Sequence, residues 1–211
     1  MHRALLISTV IALFLAGAVS PVFADIPDDC DLDTNTLLGI RQMLTAEDNG
    51  DFSYWTPEEL ACACITLYYA DPVDDDFNER VAAGAVVLLG MTEDPRAVPV
   101  LIDAIDTHPA QALYNLGNFP TVESLTALTE NIRNEDDEAR ENAAEGLRRM
   151  PVPNPDDVSE EWVEALETAI GEVSDWIPEE PEPWFREYFE EAYDNLTALH
   201  ESATQAVSGV E

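Results

Sequence analysis

Apolar residues recur at helical spacing through most of the chain, and the clearest run is residues 80–105. Val81, Ala85, Leu88 and Leu89 predict a helix over Asp76–Leu89. Ala82, Ala83 and Gly84 are small enough to let a neighbouring helix approach closely. Gly90 follows as a C-cap in the left-handed region, the usual reason for a glycine there. Asp94 as N-cap and Pro95 at the first helical position restart the chain. Val98, Leu101, Ile102 and Ile105 then form a second buried stripe.

The same pattern extends in both directions. Leu37, Ile40, Met43 and Leu44 predict a helix from Asp33 to Ala46. Thr56 caps the next, over residues 57–70, with Glu59 completing a capping box. Leu60, Ala61, Cys64, Leu67 and Tyr68 share its buried face. Helices are expected at 109–117, from Pro120 to Arg133, from Glu135 to Arg149 with Asn134 as cap, and from Ser159 to Asp175. Prolines at 151, 153 and 155 mark a rigid linker, and Pro178–Pro183 reads as an extended Pro/Glu break. A last helix, Pro183–Val207, carries Trp184, Phe185, Tyr188, Phe189, Ala192, Tyr193, Leu196 and Leu199 on one side. Glu187, Glu190, Glu191 and Asp194 lie on the other. The Asn195-Leu-Thr197 triplet is given no role.

Arg80 with the Ala82-Ala83 pair, then Leu89-Gly90, then Asp94-Pro-Arg-Ala-Val-Pro-x-Leu101, resembles a HEAT-like repeat of the short bacterial kind, also found in phycobilin lyases. Weaker echoes follow at 112–128 and 140–147, a period of about 30 residues. The middle copy lacks the Arg and the Ala-Ala pair, and the third has Arg149-Met150 where Leu-Gly belongs. The resemblance implies an all-α chain of about nine helices, a short right-handed α-solenoid of helical hairpins over residues 76–176. It further implies that Gly90, Asp94 and Pro95 are structural repeat positions. Arg80, Arg96 and Arg140 would then form ladders with Asp or Glu of adjacent repeats. Residues 177–211 supply a Pro/Glu linker and an amphipathic helix that caps the open end of the stack. The other reading of that helix is a partner-docking surface at Trp184, Phe185, Tyr188 and Phe189.

Residues 1–24 carry a short basic start, an apolar run from Leu5 to Val19 and small residues at Val22-Phe-Ala24. They predict a signal peptide and a periplasmic or secreted protein, with no membrane insertion after cleavage. Residues 25–75 form an N-terminal helical segment with a disulfide. Cys30 is expected to pair with Cys62, with Cys64 as the alternative, since Cys62 and Cys64 point apart on a helix. Such a bridge contributes about 3–4 kcal/mol in the chain-entropy model.

Charge changes the picture more than any motif. There are 44 acidic residues against nine arginines and no lysine, a net charge of −35. Nucleic acid and anionic membranes are disfavoured, because phosphate binding needs clustered cations. Acid excess without lysine resembles proteins adapted to high salt; the other reading is a surface for a basic partner or for Ca²⁺. One loop has a faint EF-hand spacing, with Glu47, Asn49, Asp51 and Glu58 at ligand positions and Phe52 where glycine belongs.

No catalytic constellation is legible. His108 and His200 lie on distant segments, and no nucleophile–base spacing, phosphate loop or paired metal-ligand motif is present. No cofactor is expected. The chain reads as a protein-binding or scaffold module for an unknown protein partner. A Ca²⁺-responsive binding protein and an enzyme of the phycobilin-lyase type are the alternatives.

Self-repulsion at this charge makes the fold salt-dependent, because the Debye length falls from ~10 Å at 0.1 M to ~3 Å at 1 M. Far-UV circular dichroism should show helicity and melting temperature rising between roughly 0.05 M and 3 M NaCl. Identical melts across that range would exclude it.

Overall fold

The computed structural model describes residue 30 and residues 32–44, 51–69 and 76–208. The expected signal peptide, Glu47, Asn49 and the 71–75 turn lie outside the described residues. Nine α-helices are present among those described: α1 Thr34–Leu44, α2 Pro57–Tyr69, α3 Asp76–Leu89, α4 Ala97–Asp103, α5 Pro109–Leu116, α6 Val122–Asn131, α7 Asp137–Arg149, α8 Glu160–Trp176 and α9 Pro183–Ser208. Short 3₁₀ turns occupy Phe52–Tyr54, Ala104–Asp106 and Pro155–Asp157.

The helices pack in two rows. The odd-numbered helices α1, α3, α5, α7 and α9 each contact the next of their row, and so do the even-numbered α2, α4, α6 and α8. Sequential helices pair across the rows except α7 and α8, which the proline-rich turn separates, giving a short α-solenoid. Polar caps start the helices where the sequence supplies them. Thr56 and Glu59 exchange reciprocal bonds before α2. Thr121 accepts from the Ser124 amide at 3.2 Å and Ser159 from Trp162 at 3.1 Å; α7 is capped not by the expected Asn134 but by Asp136, which accepts from the Glu138 and Ala139 amides. Between the rows lies one continuous core, in which Leu89, Leu101, Leu113, Leu116, Leu125, Leu128, Leu147 and Leu166 are fully buried.

The odd row is locked by asparagines. The Asn115 amide of α5 donates to the Val86 carbonyl in the last turn of α3, at 3.2 Å. Asn118, just past α5, donates to the Gly90 carbonyl at 2.7 Å. Asn195 of α9 donates to the Leu147 and Met150 carbonyls at the end of α7, at 2.8 and 3.2 Å. Each closes carbonyls that a helix terminus exposes. Two glycines make the approach feasible. A Cβ at Gly90 would fall on the Asn115 side chain, and one at Gly117 would lie 2.6 Å from the Gly146 Cα. Gly90 is therefore not in the left-handed region expected from the sequence; the room it leaves is what matters. The one positive φ at a non-glycine among the described residues is Glu93, at 55°.

Other expectations need correction. Asp94 does not cap α4 directly. Its carboxylate accepts from the Arg96 amide at 3.0 Å, ordering a turn, and the helix proper starts at Ala97. Arg96 and Arg140 each pair with a carboxylate close in sequence and with one on another element. Arg96 pairs with Asp94 in its own turn at 2.6 Å and reaches Glu58 of α2 at 3.9 Å. Arg140 instead points to the far end of the stack. Its Nε donates to Glu180 at 3.0 Å, its Nη1 to the Asn134 carbonyl and its Nη2 to Asp137 at 2.7 Å. Glu180 is buried, and also accepts from the Trp176 indole at 3.1 Å and from the Glu182 amide. The 178–183 stretch is thus a clasp anchored at one point: Glu180 is buried, while Pro178, Glu179, Pro181 and Pro183 stay exposed. Burial disfavours the Arg140 charge, but its bonds to Asp137 and Glu180 outweigh burial and hold its pKa above the usual arginine value.

α9 lies on α7 and α8. Its Phe185, Phe189, Ala192, Leu196, Leu199 and Ala203 are buried. At the other end, the disulfide joins Cys30 to Cys62 of α2, with Cα atoms 5.0 Å apart. Cys64 is a free, buried thiol that burial pushes up to about 12.

The same substitution should have opposite signs at two glycines. Gly171 of α8 faces open space, so Gly171→Ala should stabilise by about 0.5–1 kcal/mol. Gly90→Ala should destabilise by about 1–3 kcal/mol through overpacking against Asn115. Urea denaturation at constant salt reads both; equal effects would refute the close approach.

Candidate functional site

Three inter-helix turns line up along one edge of the stack and enclose a groove of about 1010 Å³. The α3–α4 turn contributes Gly90, Met91, Glu93 and Pro95; the α5–α6 turn contributes Asn118, Phe119 and Pro120. The α7–α8 turn contributes Arg149, Val152, Asp157 and their neighbouring prolines, with Trp162 of α8 at the base. The turns adopt these shapes for local reasons. The Thr92 hydroxyl donates back to the Leu89 carbonyl at 2.8 Å and ends α3. Glu93 then takes its left-handed backbone, and Asp94 and Arg96 close the turn. In the third turn, prolines 151, 153 and 155 exclude a helix until Ser159 caps α8.

The groove mixes apolar surface with a few charges. Met91 and Val152 are 72% and 63% exposed, while Phe119 and Trp162 are buried beneath. Arg149 is its cation, with Glu93 and Asp157 opposite in sign. The Arg149 guanidinium stacks 3.9 Å over the Tyr114 ring and donates to the Asn118 side chain. It therefore links the ends of α5 and α7. Two donors in the lining residues, Arg149 Nη1 and Trp162 Nε1, are buried with no acceptor among the described atoms. A buried donor left in that state costs about 1–3 kcal/mol. Glu93 adds strain, because an ordinary side chain rarely adopts φ 55°.

Of the residues singled out from the sequence, Gly90 and Pro95 line this groove and Asp94 and Arg96 brace its first turn. Arg140 is buried at the clasp, and Arg80 is exposed on α3. The proposed aromatic docking stripe is not a surface: Phe185 and Phe189 are buried in the core, Tyr188 is half-buried, and Trp184 alone is largely exposed. Asp51 caps the Phe52–Tyr54 turn by accepting from Ser53, which holds its carboxyl below the usual range. Glu58 is exposed, and its two other proposed Ca²⁺ ligands lie outside the described residues. No group of three or more candidate metal ligands occurs among the described residues. His108 bonds Thr107 at 2.9 Å and His200 bonds Glu167 at 3.3 Å, far apart in the fold. Sequence reasoning missed Met91, Asn118, Val152 and Trp162 as a set. The one available signal was the proline cluster beside Arg148-Arg149.

A family model of HEAT repeats matches residues 73–148. This stretch is a HEAT-repeat region. It runs through α3 and α7, so the first two turns of the groove belong to the HEAT repeats and the third leaves them. No curated protein and no solved structure matches the chain. The HEAT-repeat region contains Arg96 and Arg140, but their partners Glu58 and Glu180 lie outside it.

The first turn should be acid-sensitive. The Arg96 side-chain hydrogen bond holds Asp94 below the usual carboxylate range, with partial burial opposing. The stabilisation is therefore fully present above the unfolded value of about 4 and is lost as pH falls through the depressed folded value. Asp94→Asn should cost stability at pH 7, and that cost should fade at the acid end of a pH series of urea melts. A pH-independent cost would contradict the pairing.

Proposed function

We propose that this protein is an exported binding or scaffold module that holds a protein partner and does no catalysis itself. The observation that carries the reading is the HEAT-repeat region seated in a two-row stack, a form that typically presents surface to other proteins. The groove along its turn edge offers apolar and polar groups together, as binding surfaces do. Export is supported by the apolar run near the N-terminus and by the Cys30–Cys62 bridge, a bond favoured in oxidising compartments. The net charge of −35 fits a salty medium, in which the acid surface is screened.

Two measurements test this. A photoreactive residue placed at Met91, and separately at the exposed Thr126 of α6, should capture the same protein partner from the native envelope in high salt through at least one site. Absence of any captured protein from both would count against a binding module. The processed chain should begin at Asp25, and non-reducing peptide mapping should find Cys30 joined to Cys62 with Cys64 alkylated only after unfolding. An intact N-terminus with three reduced thiols would overturn export.

A further inference from the structure

We infer that the turn-edge groove takes an extended, basic segment of a partner protein, whose main-chain carbonyls reach the Arg149 and Trp162 donors. The inference deepens the binding-module reading and rests on it. Three independent observations converge on this one place. The first is the pair of buried donors, Arg149 Nη1 and Trp162 Nε1, carried by residues on its lining. An extended peptide presents carbonyl acceptors at regular intervals, and each new bond removes a desolvation cost the free protein bears. Both atoms are covered in the unbound chain, so an occupant reaches them only as the lining side chains give way.

The second observation is strain. Glu93 holds φ 55° without being a glycine, at the edge of the same groove. A residue kept in that conformation marks a place where the side chain matters more than backbone comfort. Here the side chain is an exposed carboxylate. Asp157, exposed on the third turn, is a second one. The third observation is charge. Two carboxylates share the groove lining with a single arginine already engaged by Tyr114 and Asn118, and the whole chain carries −35. Lysine or arginine side chains on the incoming segment complement this; acidic ones do not. Exposed Met91 and Val152 supply apolar contact between the charges.

The full chain, uniformly labelled with nitrogen-15, would be titrated at fixed ionic strength with an alternating Lys-Val decapeptide and, separately, its Glu-Val counterpart. The Trp162 indole N–H signal, assigned by its disappearance in Trp162→Phe, should shift and saturate with the basic peptide only. Glu93→Gln and Asp157→Asn should each weaken binding by about tenfold, the scale of one charge-assisted contact, while Glu201→Gln on α9 leaves it unchanged. Glu93→Gly separates the two roles of that residue: it should melt higher than the parent yet bind as weakly as Glu93→Gln. Equal weakening by Glu201→Gln, or saturable shifts that bypass Trp162, would mean diffuse attraction to an acidic surface and overturn the groove while leaving the binding-module reading intact. Preference for the acidic peptide would overturn the partner's chemistry. No response to either peptide, together with no captured protein in the crosslinking test, would overturn both.

Discussion

Asparagine side chains closing the carbonyl ends of neighbouring helices hold the odd row of this solenoid in register. Asn115 reaches Val86, Asn118 reaches Gly90, and Asn195 reaches Leu147 and Met150. A helix C-terminus buried without partners would expose carbonyls that neither water nor the next turn can satisfy. These amides supply the partners from one helix further along. The donors must come close, and that requirement reaches back into composition: Gly90 yields to Asn115, and Gly117 meets Gly146 backbone to backbone. The alignment of turns that creates the groove follows from the same contacts, because Gly90 and Asn118 are members of both.

With so few cations, the position of each arginine carries weight. Arg133, in the turn after α6, pairs with Glu172 of α8 at 3.0 Å and lies over the Trp176 ring. Arg148 bridges Glu145 and, on α9, Glu191. Such exposed pairs contribute about 0–1 kcal/mol each, and less at high salt. The Arg140–Glu180 pair is different in kind. Both side chains are nearly inaccessible, and truncating one partner would strand a buried charge at a cost of about 3–5 kcal/mol. The acid surface thus depends on salt, while the clasp depends on geometry that salt barely reaches.

The helices were legible because their signals are local. Val81, Ala85, Leu88 and Leu89 repeat at helical spacing, and α3 spans the expected Asp76–Leu89. Ser159 and Thr56 act as caps where their sequence neighbours foretell it. Features set by distant residues were not legible. Nothing near Glu180 announces that Arg140, forty positions earlier, will bury it. Gly90 looks like a left-handed cap because most glycines after helices are; its real constraint is Asn115, visible only once α3 and α5 are side by side. Asn195 sits in a triplet that carried no meaning in sequence, and the stripe with Phe185 and Phe189 fitted a capping helix as well as a docking surface, a choice that packing on α7 and α8 decides for the buried phenylalanines. The groove escaped notice because its lining is drawn from three turns, none of which has a pattern of its own.

The clasp also imposes an order on assembly. Glu180 is the one buried carboxylate that Arg140 meets, and it follows Arg140 in the chain by 40 residues. A nascent chain that has released α7 but not the segment beyond α8 holds a guanidinium whose one ion-pair partner, Asp137, is exposed, and lacks the buried counter-charge of Glu180. The terminal repeats therefore cannot close into their final packing until synthesis has passed residue 180, and α9, which follows directly, arrives as that closure becomes feasible. The HEAT-repeat region, although continuous in sequence, completes its own last layer only with help from residues made after it.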